Sequence, residues 1–325
     1  MTQWQLLEAA RAGDDGAYAE LVEEHRRVLQ AHCYRMLGSV HDAEDAVQET
    51  LLRAWRSLSS FKGRSSLRSW LYTIATNVCL RAIERRPGRV LPVDYGPAAD
   101  PHDPLGEPIV EWTWIEPYPD ERLGLDDGLA GPEARYEQRE SIELAFIAAL
   151  QHLPARQRAV LILRDVLGFS GAEVAEALET TPASVYSALQ RAHESVDHRL
   201  PELSQQATLR SLGDEQLRAI VDRYVQAWER NDVDAIAAML TESATLAMPP
   251  TTTWYRGRDV IAAALGSWPL NGGMQWRMLP TRASGQLAVM AYRRDAVSGS
   301  FVAHHVAVLT LHGALIDEIN AFHVP

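Results

Sequence analysis

Lysine is nearly missing from this 325-residue chain: Lys62 stands alone against thirty arginines. Cysteine is scarce as well, with only Cys33 and Cys79 and no CxxC or Cys/His cluster. A disulfide framework and a zinc site are therefore not expected, and no other metal or cofactor motif is present; a reducing cytoplasm is the expected compartment. No apolar run approaches the roughly 18 residues needed to cross a bilayer, so no membrane partner is expected. The opening residues, MTQWQLLEAARAGDDGAYAEL, lack a basic segment followed by an apolar stretch and do not read as a secretory signal.

A net charge of -12 argues against a nucleic-acid-binding protein until the charges are located. Residues 53–90 carry nine Lys/Arg against a single acid, Glu84, whereas residues 91–133 carry eleven Asp/Glu against a single base, Arg122. Residues 201–325 are nearly balanced, with twelve acids and ten bases. The chain thus has one basic block, one acidic connector and a neutral remainder.

Periodicity divides it further. Residues 1–88 are expected to form a helical domain: Ala43, Val47, Leu51 and Trp55 repeat at i+4, as do apolar positions from Leu67 to Arg85, with FKGRSS as a loop between them. Residues 89–132 form a proline-rich acidic linker. Residues 133–202 are helical again, and 203–325 form an α+β domain after a short polar connector. That last domain is expected to hold helices near 212–230, 233–241 and 257–267. Strand-like runs near 275–283, 286–294, 300–312 and 314–323 are separated by Ser284-Gly285, Ser298-Gly299 and His312-Gly313.

Three segments carry candidate function. In HDAEDAVQETLLRAW, Asp42, Asp45 and Glu49 share one helix face opposite the apolar stripe; they form either a solvated face or a docking surface for a basic partner. In SFKGRSSLRSWLYTIATNVCLRAIERR, cations including Lys62, Arg64, Arg81 and Arg85 flank Phe61, Trp70 and Tyr72, a mixture suited to phosphates and unpaired bases. Trp70 reads as core, whereas Phe61 sits in a loop. In GFSGAEVAEALETTPASVYSALQRAHESV, Ser170 and Glu173 spell a capping box, and Thr181 with Pro182 starts a second helix. Its outer side offers Ser184, Ser187, Gln190 and Arg191, short polar and cationic groups that fit a major groove. An ordinary helical hairpin is the plain alternative.

Together and in this order, these segments, with LPARQRAVLILRDVL, resemble regions two and four of the bacterial extracytoplasmic-function sigma-70 factors over about residues 5–200. The resemblance implies two all-α domains, the second a helix-turn-helix, whose partners are core RNA polymerase and promoter DNA. It implies that Asp42, Asp45 and Glu49 dock on the β′ clamp, and that Leu153, Pro154 and Arg158 belong where the β flap is bound. The −10 element would meet Phe61, Lys62, Arg64, Asn77, Arg81 and Arg85, with Phe61 and Asn77 holding a flipped base. The −35 element would meet Ser184, Tyr186, Ser187, Gln190 and Arg191. Tyr186 and Ala188 stand where many relatives have arginines, and the linker is longer than usual. In the family this linker passes through the active-site and RNA-exit path, where acids can mimic nucleic acid.

Residues 212–325 resemble the SnoaL-like polyketide cyclases, an α+β cone fold, through RAIVDRYVQAWERNDVDAIAAMLTESATLAMPP, WYRGRDVIAAAL and ALIDEINAFHVP. The resemblance implies a pocket with Tyr224, Trp228, Trp254, His304, His305, Asp317 and Phe322 as candidate walls. Because His304 and His305 are adjacent on a strand, at most one is expected on the side of Asp317. The expectation is a non-enzymatic domain that modulates the sigma portion, with an anti-sigma factor or a small ligand as a further partner. The alternative is a cyclase, isomerase or ligand sensor fused to a DNA-binding regulator.

Overall fold

The computed structural model describes residues 1–63, 65–86, 88–109, 114–123 and 138–324; Arg64, expected at the −10 site, lies outside them. The chain forms two compact units. The first holds Met1–Arg89 and Ala145–Leu200, with residues 121–123; the second holds Val90–Asp120 and Pro201–Pro325, with residues 138–144.

The first unit is helical. It contains α1 (Gln3–Arg11), α2 (Asp15–Leu37), α3 (Val40–Ser57) and α4 (Leu67–Arg85). Side chains of Thr2, Asp14, Ser39 and Ser66 cap their N-termini, each satisfying an orphan backbone N–H for about 1 kcal/mol. Ala43, Val47 and Leu51 are buried as their spacing predicts, as are Leu29, Cys33 and Met36 of α2 and Leu71, Ala75 and Cys79 of α4, and α3 packs on both of those helices. Both cysteines are free and buried.

The same unit continues with α6 (Leu144–Gln151), α7 (Ala155–Leu161), a π-helical turn (Ile162–Val166), α8 (Gly171–Ala177) and α9 (Pro182–Asp197). Ser170 and Glu173 form the expected reciprocal cap on α8, with the two N–H···O distances at 3.2 and 2.8 Å. Thr181 Oγ1 accepts from Ser184 N on α9, directly after Pro182 at its first position. Val185, Ala192 and Val196 turn inward as the second helix of the pair requires.

These later helices share a core with the earlier ones. Arg158 of α7 is 2% exposed, and it donates to Gln151 Oε1 (2.6 Å), Gln151 O (3.0 Å), Leu153 O (3.3 Å) and Met36 O at the end of α2. Gln151 Nε2 donates to Arg35 O. Gly38, which ends α2 with a positive φ of 69°, leaves only 3.1 Å between a notional Cβ and Gln151 Cδ, so both backbone and space require glycine there. At the other end of α4, Phe169 meets the Tyr72 ring edge-on at 5.5 Å, and the Arg68 guanidinium lies 4.9 Å from the Phe169 centroid.

The second unit is a mixed six-stranded sheet packed against helices. Its strands are β1 (Leu240–Ala247), β2 (Trp254–Arg256), β3 (Trp276–Ala283), β4 (Gln286–Arg294), β5 (Phe301–His312) and β6 (Leu315–His323), in the order β2-β1-β6-β5-β4-β3. The last four fall where alternation and turn signals place them. Only β1 and β6 pair in parallel; the other neighbours are antiparallel. Helices α10 (Gln205–Glu229), broken at Gly213, α11 (Val233–Ala237) and α12 (Arg258–Ser267) accompany the sheet. Leu217, Ile220, Tyr224 and Trp228 of α10, Ile261 and Leu265 of α12, and inward-facing strand residues such as Val289 and Leu309 form one core.

Two stretches expected to be connectors are held by this unit. Residues 90–109, which include α5 (Pro92–Tyr95), and 114–120 belong to it: Ala99 N donates to Trp254 O, Ile109 N to Pro250 O, and Ser284 N to Tyr118 O. Residues 205–210 are helical instead of a polar connector, because non-local partners order them. The Gln205 side-chain amide pairs with both the N–H and the carbonyl of Leu311 (2.8 Å each), and Gln206 Nε2 donates to Gly285 O. The backbone N–H groups of both glutamines, at the start of α10, donate to the Glu143 carboxylate.

Candidate functional site

The acidic face of α3 is only partly open. Asp42 sits in the first turn, within reach of the cations that follow α4, and it accepts from Arg86 and from Arg89 Nη2 (2.6 Å); Arg89 is itself buried. Asp42 is therefore turned into the helical unit and away from the docking face expected of it. Asp45 is exposed, and Glu49 pairs with Arg53 one turn on at 2.6 Å.

Phe61 departs from expectation too. It is 8% exposed, its ring lies 4.8 Å from that of Trp70, and Arg11 covers it while donating to its carbonyl. The loop places the phenyl group in the core because Trp70 on α4 and Arg11 on α1 close over it, so the ring is no free stacking platform in this conformation. Lys62 is exposed. Asn77, half-buried, and Arg81 and Arg85, both exposed, recur at i+4 and form one stripe along α4. A polar group followed by two guanidinium groups can follow a phosphate backbone while the amide reads a base edge.

On α9, Ser184, Tyr186, Ser187, Gln190 and Arg191 are all exposed on the side away from Val185, Ala192 and Val196. Arg191 Nη1 is steadied by Ser187 Oγ at 2.9 Å, and the Tyr186 ring lies 6.0 Å from the Arg164 guanidinium. The helix can present these groups together to a groove. By contrast Leu153 and Arg158, matched to a flap-binding segment, are buried in the unit's own core, and burial pushes the Arg158 guanidinium down to about 10.

The C-terminal unit encloses a cavity of about 30 Å³. Tyr224, Trp228 and His304 line it as expected. His305 joins them because β5 carries a bulge: Ala291 pairs with His305 and Tyr292 with Ala303, which leaves His304 as the extra residue. The two rings therefore do not alternate across the sheet, and their Nδ1 atoms lie 2.9 Å apart. Burial pushes His304 down to about 4 and His305 to about 3, and it lowers His323, whose ring lies 4.6 Å from that of His304. Three expected wall residues lie elsewhere. Asp317 accepts from Thr241 Oγ1 at 2.5 Å, Trp254 Nε1 donates to Gly96 O in the connector, and Phe322, one residue out of phase with the lining Ala321 and His323, falls on the other sheet face. Among the described residues, the cavity lining holds histidines but no aspartate. Trp268, Trp276 and His323 line it without having been singled out; Trp276 opens β3, whose alternation alone signals an inward face.

Comparison with known proteins places these features in a family. Sigma-70 region 2 matches residues 21–87, sigma-70 region 4 residues 143–195, and the SnoaL-like domain residues 221–319. The chain is 44% identical over 286 residues to the ECF RNA polymerase sigma factor SigG of Mycobacterium tuberculosis, covering 87% of this chain and 75% of that one. It is 27% identical over 200 residues to the ECF RNA polymerase sigma factor SigW of Bacillus subtilis, covering 61% of this chain and 96% of SigW. The fold matches the crystal structure of the M. tuberculosis extracytoplasmic function sigma factor SigJ with a TM-score of 0.56 at 21% identity, covering 92% of this chain and 94% of that one. The chain belongs to the extracytoplasmic-function RNA polymerase sigma factors, whose work is promoter-directed transcription initiation, and it carries a SnoaL-like C-terminal domain.

Proposed function

We propose that this sigma factor joins core RNA polymerase and reads its promoter through three surfaces of the helical unit. Asp45 and Glu49 meet the polymerase clamp; Lys62, Asn77, Arg81 and Arg85 meet the melted −10 strand; and the outer face of α9 enters the −35 major groove. The observation that carries this reading is the pair of basic and polar faces, on α4 and α9, left open by helices whose other sides are core. Residues 1–88 and 133–202 act as the two recognition domains, 89–132 as their connector and 203–325 as a modulating domain. The protein works in the cytoplasm, and an anti-sigma factor is a further partner. The C-terminal domain modulates without catalysis; the absence of a carboxylate among the residues lining the cavity, with its histidines held neutral, supports that reading because no general base is poised near neutral pH.

Run-off transcription from genomic fragments with the full chain and core polymerase tests the proposal. Discrete start sites that share −10 and −35 elements are expected. Core binding without initiation at any site would overturn it.

A further inference from the structure

The chain's only two cysteines meet in its helical core. Cys33 on α2 and Cys79 on α4 are both fully buried, and their side chains share a thiol–thiol hydrogen bond. The crossing of the two helices fixes them there. His32 Nε2 lies 2.9 Å from Thr76 Oγ1, and Thr76 precedes Cys79 by one helical turn on the same face of α4. Packing alone does not call for this pair, because a buried cysteine fills space as a small apolar residue does; its distinctive property is reactivity. Two sulfurs already in contact across neighbouring helices need only side-chain rotation and a small helix shift to reach bonding distance.

A third element conditions the chemistry. The charge of Arg158 on α7 acts on Cys79. Among the described residues, the hydrogen-bond partners of Arg158 are amide and carbonyl oxygens, with no carboxylate. A thiolate formed on Cys79 would supply the anion that this buried guanidinium lacks. At rest the thiol is protected. The hydrogen bond with Cys33 and then burial push Cys79 well up, with the Asp42 carboxylate adding to the rise and Arg158 pulling the other way. A buried, protonated thiol is inert. Local opening of packed helices, which native proteins undergo continually, admits a molecule as small as peroxide and frees the thiolate.

We propose that Cys33 and Cys79 form a peroxide-sensitive dithiol, which closes into a reversible disulfide that staples α4 to α2. Cys79 gives up its proton, and its thiolate attacks one oxygen of hydrogen peroxide. The O–O bond breaks, hydroxide leaves with that proton as water, and Cys79 carries a sulfenic acid. The Cys33 sulfur then attacks the Cys79 sulfur; the S–S bond forms, and the hydroxyl leaves with the Cys33 proton as a second water. The two thiols lose two electrons and peroxide gains them; exchange with a dithiol reductant reverses the change. The proposal stands whether or not the promoter contacts above are right.

Peroxide treatment of the folded full chain tests it. Catalase ends the reaction, N-ethylmaleimide in denaturant caps the remaining thiols, and peptide mass spectrometry reads the product. A Cys33–Cys79 peptide within one chain is expected, lost again on treatment with dithiothreitol. The helical unit of the oxidised chain should melt roughly 5 °C or more above the reduced form, since the bond restricts the unfolded chain. Cys33→Ala should yield more dimedone-trapped sulfenic acid than Cys79→Ala; an equal or reversed yield would overturn the assignment of Cys79 as the attacking thiol. The wild-type measurement needs no variant, so the central claim is tested even if both substitutions impair folding. Two fully capped thiols after peroxide, a bond between chains only, or a disulfide that forms only in denaturant would overturn the proposal.

Discussion

If α4 reads the −10 element and α9 the −35 element, the helical unit has to open. The two elements lie about 25 base pairs apart, roughly 85 Å at 3.4 Å per pair. Yet α4 touches the second helical set directly, with Phe169 wedged between the Tyr72 ring and the Arg68 guanidinium, and Arg68 Nη2 donating to Leu167 O. Phe169→Ala removes that wedge. Truncating a buried phenylalanine costs about 3 kcal/mol at the low end. The edge-on contact accounts for roughly 1 kcal/mol and the cation–π contact for up to about 1. Some 2 kcal/mol thus acts across the contact, enough to raise the ratio of open to closed forms about 30-fold. Single-molecule energy transfer between dyes on Arg81→Cys and Ser187→Cys reads that ratio, since Cys33 and Cys79 are buried. The low-transfer population should grow in Phe169→Ala and not in Val185→Ala, which weakens the helix-turn-helix core alone. Unchanged transfer in Phe169→Ala, or the same rise in Val185→Ala, would refute the reasoning.

Two further outcomes are expected. Burial pushes Glu143 up to about 7 although Gln205 N and Gln206 N donate to it. A carboxyl raised in the folded state favours folding below its ordinary value near 4.5 and loses that contribution as pH climbs through 7, about 3 kcal/mol in all. Glu143→Gln should flatten the pH 5 to 8 slope of stability in denaturant titrations; an unaltered slope would show the carboxylate is not so placed. Asn77→Ala should slow promoter opening, followed by permanganate footprinting, while core binding measured by fluorescence anisotropy holds; equal loss of both would contradict the −10 assignment.

Much of the scaffold was legible because it is local. Ser170 with Glu173, and Thr181 with Pro182, announce two helix starts within a few residues each, and the alternation from β3 to β6 needs only neighbouring positions. What escaped depends on distant partners. Asp42 reads as a surface acid until Arg86 and Arg89, more than forty residues on, fold back to it. Phe61 reads as a loop aromatic until Arg11 and Trp70 close over it. The polar stretch at Gln205 and Gln206 becomes helix through Leu311, Gly285 and Glu143, none of them near in sequence. At His304 a strand's two-residue period fails at a bulge, which no periodicity announces and which carries both histidines to one cavity.

The most direct measurement is duplex and open-complex binding by the sigma–core assembly on a promoter mapped by run-off transcription, with Arg191→Ala and Arg81→Ala compared. The account predicts that Arg191→Ala weakens binding only where the −35 element is intact, and that Arg81→Ala weakens it only where the −10 strand is melted. If both changes acted alike on every template, or neither acted on any, the division of labour between α9 and α4 would be contradicted.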